Sequence, residues 1–227
     1  MRKQAGAGAV RAVLVAVACA SVLALAGCGR DYADSASGTS NAPAVVEQSD
    51  AGPYYGVELQ EPIGKPDVTL QDTTGAPFNL AQDTAGQVVL VYAGYTHCPD
   101  VCPTTVADLA AALRGLTPQE RARVSVVMFS TDPQRDTEQR MRAFLDQFDA
   151  AFVGVIGEEA AQIDAINAMG IDVQPPEVAA NGDILVEHGA QVLAFSPPSD
   201  QAGLLWTSGT TATEYREDLQ TLLAATS

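Results

Sequence analysis

Two cysteines separated by three residues, Cys98 and Cys102, stand in the string Gly94-Tyr95-Thr96-His97-Cys98-Pro99-Asp100-Val101-Cys102-Pro103. The string joins an apolar run to a segment of helical periodicity, so both thiols fall near a helix N-terminus, where backbone N–H groups and the positive end of the dipole favour the thiolate. That ionised form attacks disulfides and ligates metals. On one helical turn the spacing keeps both sulfurs on the same side, about 6 Å of rise apart, and permits a disulfide or a bidentate metal clamp. Two prolines leave two entries for the helix: at Pro99 with a kink at Pro103, or at Pro103 itself.

The chain has two histidines. His97 adjoins Cys98, and a direct neighbour at a strand end tends to point to the opposite side, which suits a supporting or packing role better than chelation. His188, in Val186-Glu187-His188-Gly189-Ala190, is the other candidate donor. Two thiolates and one imidazole make a soft, low-coordinate set suited to copper(I) and able to take copper(II) or zinc. The same two thiols alone suffice for thiol–disulfide exchange.

The elements that must position these residues follow from hydrophobic patterning. Pro66–Leu70 and Pro77–Leu80, separated by the turn Asp72-Thr73-Thr74-Gly75, read as an N-terminal β-hairpin. Gln87–Ala93 is almost continuously apolar, as expected of a strand buried on both faces. After the cysteine loop, Val106, Leu109, Ala110 and Leu113 recur at helical spacing and stop at Gly115. Val124–Phe129 is a second buried strand, and a helix capped by Asp136 and Gln139 carries Met141, Phe144, Leu145 and Phe148 on one face. Met128 sits inside that strand as core.

Phe152–Ile156 reads as a third strand, and a helix with Ile163, Ile166 and Met169 ends at Gly170. After the Asn181-Gly182 turn, Ile184–Glu187 is expected to pair with Gln191–Phe195 as a hairpin, before a Thr211-x-x-Glu214 capping box opens a last helix. Parallel β-α-β followed by a hairpin and a helix is the thioredoxin-like order, an α/β fold with a central mixed sheet flanked by helices. In such a fold the loop before the hairpin faces the N-terminus of the helix that follows the cysteines, so His188 can reach both sulfurs.

The chain's beginning supplies an address. Arg2, Lys3 and Arg11 precede an acid-free apolar run from Ala12 to Gly27, which ends in Leu25-Ala26-Gly27-Cys28. This is the pattern of a lipoprotein signal, with residues 1–27 removed and Cys28 lipidated. Residues 28–52 are rich in Ser, Asp, Gly and Ala and read as a flexible tether, leaving residues 53–227 as one folded domain outside the cytoplasmic membrane. Cys19 leaves with the signal, so Cys98 and Cys102 are the thiols that remain. Loss of the signal also takes the formal net charge from −16 to −19. So acidic a chain lacks the clustered cations that nucleic-acid binding needs.

GYTHCPDVCPTT, then Ser130-Thr131-Asp132-Pro133-Gln134-Arg135-Asp136-Thr137, then a distal histidine in VEHG, together resemble the Sco/SenC family across the whole folded part. The resemblance implies a thioredoxin-like copper protein that helps assemble the dinuclear copper site of cytochrome c oxidase subunit II, as metallochaperone, thiol reductase or both. Other copper chaperones or thiol reductants are implied as further partners. It assigns one copper, Cu(I) or Cu(II), to Cys98, Cys102 and His188, the two cysteines doubling as the redox-active pair. Asp132 and Glu187 are implied as groups behind the ligands. The family more usually has Asp before the distal histidine and Ser after it, where this chain has Glu187 and Gly189. The competing reading is an anchored extracytoplasmic thiol:disulfide oxidoreductase with no obligatory metal.

Overall fold

All seven residues of the strand Val88–Gly94 are buried. A strand so apolar on both faces needs a layer on each side, and it has them: Val88, Leu90 and Tyr92 enter one core, Val89, Val91 and Ala93 the other. The computed structural model describes residues 52–226. The expected signal segment, Cys28 and the expected tether up to residue 51 lie outside the described residues.

In chain order the elements are β1 (Val57–Gly64), β2 (Thr69–Asp72), β3 (Pro77–Asn79), α1 (Leu80–Asp83), β4 (Val88–Gly94), α2 (Val101–Arg114), α3 (Pro118–Arg121) and β5 (Val124–Ser130). There follow α4 (Glu138–Leu145), β6 (Val153–Ile156), α5 (Glu159–Ala168), β7 (Glu177–Val178), β8 (Ile184–Leu185), β9 (Val192–Ser196), β10 (Gln201–Trp206) and α6 (Ala212–Ala225). Eight strands form one mixed sheet in the order β1-β10-β9-β4-β5-β6-β2-β3. The pairs β4–β5 and β5–β6 are parallel, whereas β9 runs antiparallel to β4. Side chains of α2, α4 and α6 fill one core, and those of α1 and α5 the other.

These directions gather the chemistry at one end of the sheet. The carboxyl ends of β4 and β5 lie together there, Gly94 opposite Ser130, and β9 begins there, Val192 opposite Tyr92. Three segments therefore converge: the cysteine loop after β4, residues 131–137 after β5, and the His188 segment before β9. Among the described residues no helix is long and apolar enough to cross a membrane.

The N-terminal hairpin forms as expected from β2 and β3. The later hairpin does not pair as expected. Gly182, at φ +89°, turns the chain so that Ile184–Leu185 pair with Glu177–Val178 in a small sheet of their own. The partners of β9 are β4 and β10. Burial decides between these pairings, because Val192, Leu193, Ala194 and Phe195 suit a central position, whereas Ile184 and Leu185 stay exposed.

The start of α4 is also corrected. Thr137 is its N-cap, accepting from the Arg140 N–H, and Asp136 turns inward instead. Likewise α2 enters at Val101, not at Pro99 or Pro103. Pro103 is the third helical residue, where a missing N–H leaves no intrahelical bond unmade, so no kink is required.

Candidate metal centre

Cys98 is half-buried, in the turn before α2, and Cys102 is buried in its first turn; neither is in a disulfide. The Cys102 N–H donates to Cys98 Sγ at 3.4 Å. Burial works against the Cys98 thiolate, yet N–H groups of Asp100, Cys102 and Val101 outweigh it and hold this thiol below its ordinary range. Cys102 is the opposite case. Burial pushes it up to about 12, although Tyr92 and the Tyr95 backbone pull the other way. One turn of helix thus presents an accessible thiol that ionises more readily than usual and an inner thiol that keeps its proton.

Gly94 makes this arrangement possible, a residue the strand pattern alone does not single out. A Cβ there would lie 2.6 Å from Tyr92 Cε1, 3.1 Å from Cys102 Sγ and 3.2 Å from Met128 Cε. The inner sulfur therefore packs directly on the backbone at the end of β4. Gly94→Ala is expected to cost about 1–3 kcal/mol through overpacking. A urea denaturation curve with an unchanged midpoint would contradict it.

His188 pairs through its backbone with Val173 in an isolated antiparallel bridge. Its Nδ1 lies 3.0 Å from the Gly189 carbonyl oxygen, which fixes the tautomer with the proton on Nδ1 and leaves the Nε2 lone pair for a ligand. Burial lowers its pKa, so the imidazole is neutral at pH 7, the state a metal requires. The ring meets Tyr95 edge-to-face, with centroids 5.8 Å apart and planes at 89°. His188 thus stands against the residue that opens the cysteine loop. Among the described residues, however, no three His, Cys, Asp or Glu side chains converge closely enough to share an ion. The dithiol is assembled; the imidazole stands beside it without closing a three-donor cluster.

His97 belongs to a separate network. Its Nδ1 is 3.7 Å from Asp136 Oδ1, and its Nε2 is 2.8 Å from Arg140 Nη1. Asp136 is buried and accepts from the Thr96 N–H at 3.1 Å, the Thr96 hydroxyl at 2.5 Å and the Ser130 hydroxyl at 2.7 Å. This carboxylate ties the cysteine loop to the end of β5.

Asp132 is buried and ion-paired with Arg135, and burial, partly countered by Arg135, raises its pKa. The Arg135 guanidinium lies 6.0 Å from the Tyr95 ring centroid. Glu187 is exposed and lines a cavity of about 240 Å³ with Pro175, Pro176 and Leu185. Met128 is core, as its strand position suggests.

A mixed sheet whose parallel β-α-β unit delivers a dithiol to a helix N-terminus defines a thioredoxin-like protein. Comparison with known proteins then settles the family. The SCO1/SenC family matches residues 58–224, and the chain belongs to it. The mitochondrial SCO2 homologue of Bos taurus is 30% identical over 146 residues, covering 61% of this chain and 52% of that protein. The chain spans about half the length of the mitochondrial relatives it matches, between 39% and 54%.

Among solved structures, apo Sco1 of Thermus thermophilus is 31% identical with a TM-score of 0.67, covering 74% of this chain and 96% of that one. Bradyrhizobium japonicum ScoI, solved with copper bound, is 28% identical with a TM-score of 0.59, covering 70% and 99%. BsSco, described as a member of the Sco family of cytochrome c oxidase assembly proteins, shares the fold at 18% identity and a TM-score of 0.58, covering 73% and 98%.

Proposed function

We propose that this chain carries one copper ion on Cys98, Cys102 and His188, and that it serves the dinuclear copper site of cytochrome c oxidase subunit II by delivering copper or reducing that site's cysteines. The observation that carries the reading is an accessible thiol of lowered pKa, an inner thiol and an imidazole with Nε2 open, all at one end of the sheet. Such soft donors fit copper(I) as cargo. Cys98 would engage the ion first, being accessible and the more readily ionised of the two; Cys102 would follow by giving up its proton, and His188 would close on the pair. A low-coordinate site assembled in steps can also be dismantled in steps, as delivery requires.

Two features support a partner-facing role. Three of the four exposed large apolar side chains among the described residues, Val178, Ile184 and Leu185, lie on the β7–β8 hairpin just before His188. In addition, β1 enters the sheet at the end that carries the thiols, since Val57 pairs with Leu205 and Trp206 with Val192. Lipidation at Cys28 would place the domain at the extracytoplasmic face of the membrane.

The difference between the two thiols equally favours a second reading, thiol:disulfide exchange. The Cys98 thiolate attacks a client disulfide and forms a mixed disulfide; Cys102, deprotonated as it attacks Cys98 Sγ, then releases the client as a dithiol. Two electrons pass to the client, whose two sulfurs take one proton from Cys102 and one from solvent, and Cys98–Cys102 becomes the disulfide.

Metal content and competition against a copper(I) chelator test the ligand set. The reduced chain should retain one copper and the oxidised chain none, because disulfide sulfurs carry no thiolate charge. His188→Ala should weaken binding beyond the roughly 10–100-fold that changes behind the ligands cost. His97→Ala should keep the stoichiometry. Equal retention by wild type and His188→Ala, with loss in His97→Ala, would overturn the assignment, and preference for zinc when both metals are offered would overturn copper.

A further inference from the structure

We infer that Tyr95, held by Arg135, is a positioning residue that sets where the His188 imidazole stands relative to the two thiols. The inference rests on the reading of His188 as a ligand. Tyr95 is the first residue beyond β4, and its carbonyl accepts the Cys98 N–H at 3.3 Å, so its placement and that of the accessible thiol are coupled through the backbone. Its ring meets the His188 ring edge-to-face at 5.8 Å. It is the ring contact between the segment that carries the thiols and the segment that carries the imidazole.

The other restraints on His188 do different work. The bridge to Val173 fixes its backbone, and the Nδ1 bond to Gly189 oxygen fixes its tautomer. Val173 belongs to the stretch after α5 and Gly189 to the His188 segment itself, so neither relates the ring to the cysteine loop. Tyr95 does. A half-buried ring needs support of its own, and Arg135 supplies it from the third converging segment, its guanidinium 6.0 Å from the Tyr95 centroid and ion-paired with buried Asp132. Asp132, Arg135, Tyr95 and His188 thereby form one chain of contacts from the end of β5 to the candidate ligand, and Asp132 acts through Arg135 rather than on a metal.

A residue that works through His188 should matter only while His188 is present. Tyr95→Ala is expected to lower copper(I) affinity about 3- to 10-fold in chelator competition, the range of one edge-to-face aromatic contact. Tyr95→Phe, which keeps the ring, should retain wild-type affinity, and Tyr95→Leu, which keeps bulk and folding without the aromatic face, should follow Tyr95→Ala. In a His188→Ala background, Tyr95→Ala should cause no further loss. In the metal-free reduced full-length chain, the NMR shifts of the His188 ring protons should move in Tyr95→Ala and Tyr95→Leu but not in Tyr95→Phe. An equal loss of affinity in both backgrounds would reduce Tyr95 to a support of the cysteine loop and overturn the inference, as would Tyr95→Phe behaving like Tyr95→Ala. Wild-type affinity in His188→Ala alone would instead overturn the ligand reading on which the inference stands.

Discussion

Iodoacetamide added to the reduced chain at pH 7 is expected to alkylate Cys98 and to spare Cys102 until the protein unfolds. The two thiols are four residues apart but differ in both ionisation and access. Cys98 lies below the ordinary thiol range because N–H groups of Asp100, Cys102 and Val101 face its sulfur, and it is half-buried. Cys102 is 0% exposed, and burial pushes it up to about 12. At pH 7 a thiol with that pKa is ionised in about one molecule in 10⁵, and the thiolate is the reacting species. The selectivity should therefore span orders of magnitude.

The pH dependence has a definite sign. Alkylation of Cys98 should accelerate as pH rises through its depressed pKa and then level off, since the thiolate fraction saturates. Cys102 should stay silent throughout, because its proton is retained until about pH 12. Copper uptake must displace that proton, so apparent affinity should rise with pH across the same interval. Fragmentation of the peptide containing both cysteines locates the label. Labelling of Cys102 at a rate comparable with Cys98 in the folded chain would remove the division of labour proposed for metal loading and for thiol exchange alike.

The sequence makes the centre of this fold legible and its margins obscure, for a physical reason. Val88–Gly94 and Val124–Ser130 are buried along nearly their whole length, so their composition alone announces them. The strands β1 and β10 escape notice. Five of the eight side chains of β1 are exposed, and its register with β10 shifts between Glu58 and Ile63, which erases the alternation that marks a strand. The pairing of β8 was misleading because two short apolar runs near a turn look alike until a sheet chooses which one to bury.

The candidate site divides in the same way. The helix-terminal dithiol can be read from spacing, because consecutive strand and helix leave the loop little freedom. His188 can be nominated because few alternatives exist. Its relation to Tyr95 and Arg135 depends on three segments meeting at one sheet end, and local sequence carries no trace of that. Asp136 is the sharpest case: a carboxylate three residues before Gln139 matches a helix-capping pattern, but Thr137 takes the cap and frees Asp136 to turn inward.

That inward turn makes Asp136→Ala the substitution expected to damage the fold most without touching a candidate ligand. Asp136 accepts from the Thr96 N–H, the Thr96 hydroxyl and the Ser130 hydroxyl, and faces His97 at 3.7 Å. Removing the carboxylate strands these donors in a site the carboxylate itself occupies at 1% exposure. Each buried donor left unmatched costs about 1–3 kcal/mol, so a loss of roughly 3–5 kcal/mol is expected, near the top of the range for single substitutions. For a domain of this size that corresponds to a fall in Tm of about 6–20 °C. Asp136→Asn should cost less, since its carbonyl oxygen still accepts, although its NH₂ meets hydroxyls that must reorient. The effect should also reach the chemistry: with Thr96 released, the turn that aims Asp100, Val101 and Cys102 N–H groups at Cys98 Sγ loosens, and the folded variant should alkylate at Cys98 more slowly at pH 7. Thermal denaturation and labelling of the same sample separate the two consequences. A variant that melts like wild type would show that solvent replaces the carboxylate, and a destabilised variant with unchanged Cys98 reactivity would show that the α2 terminus holds the thiolate without help from β5.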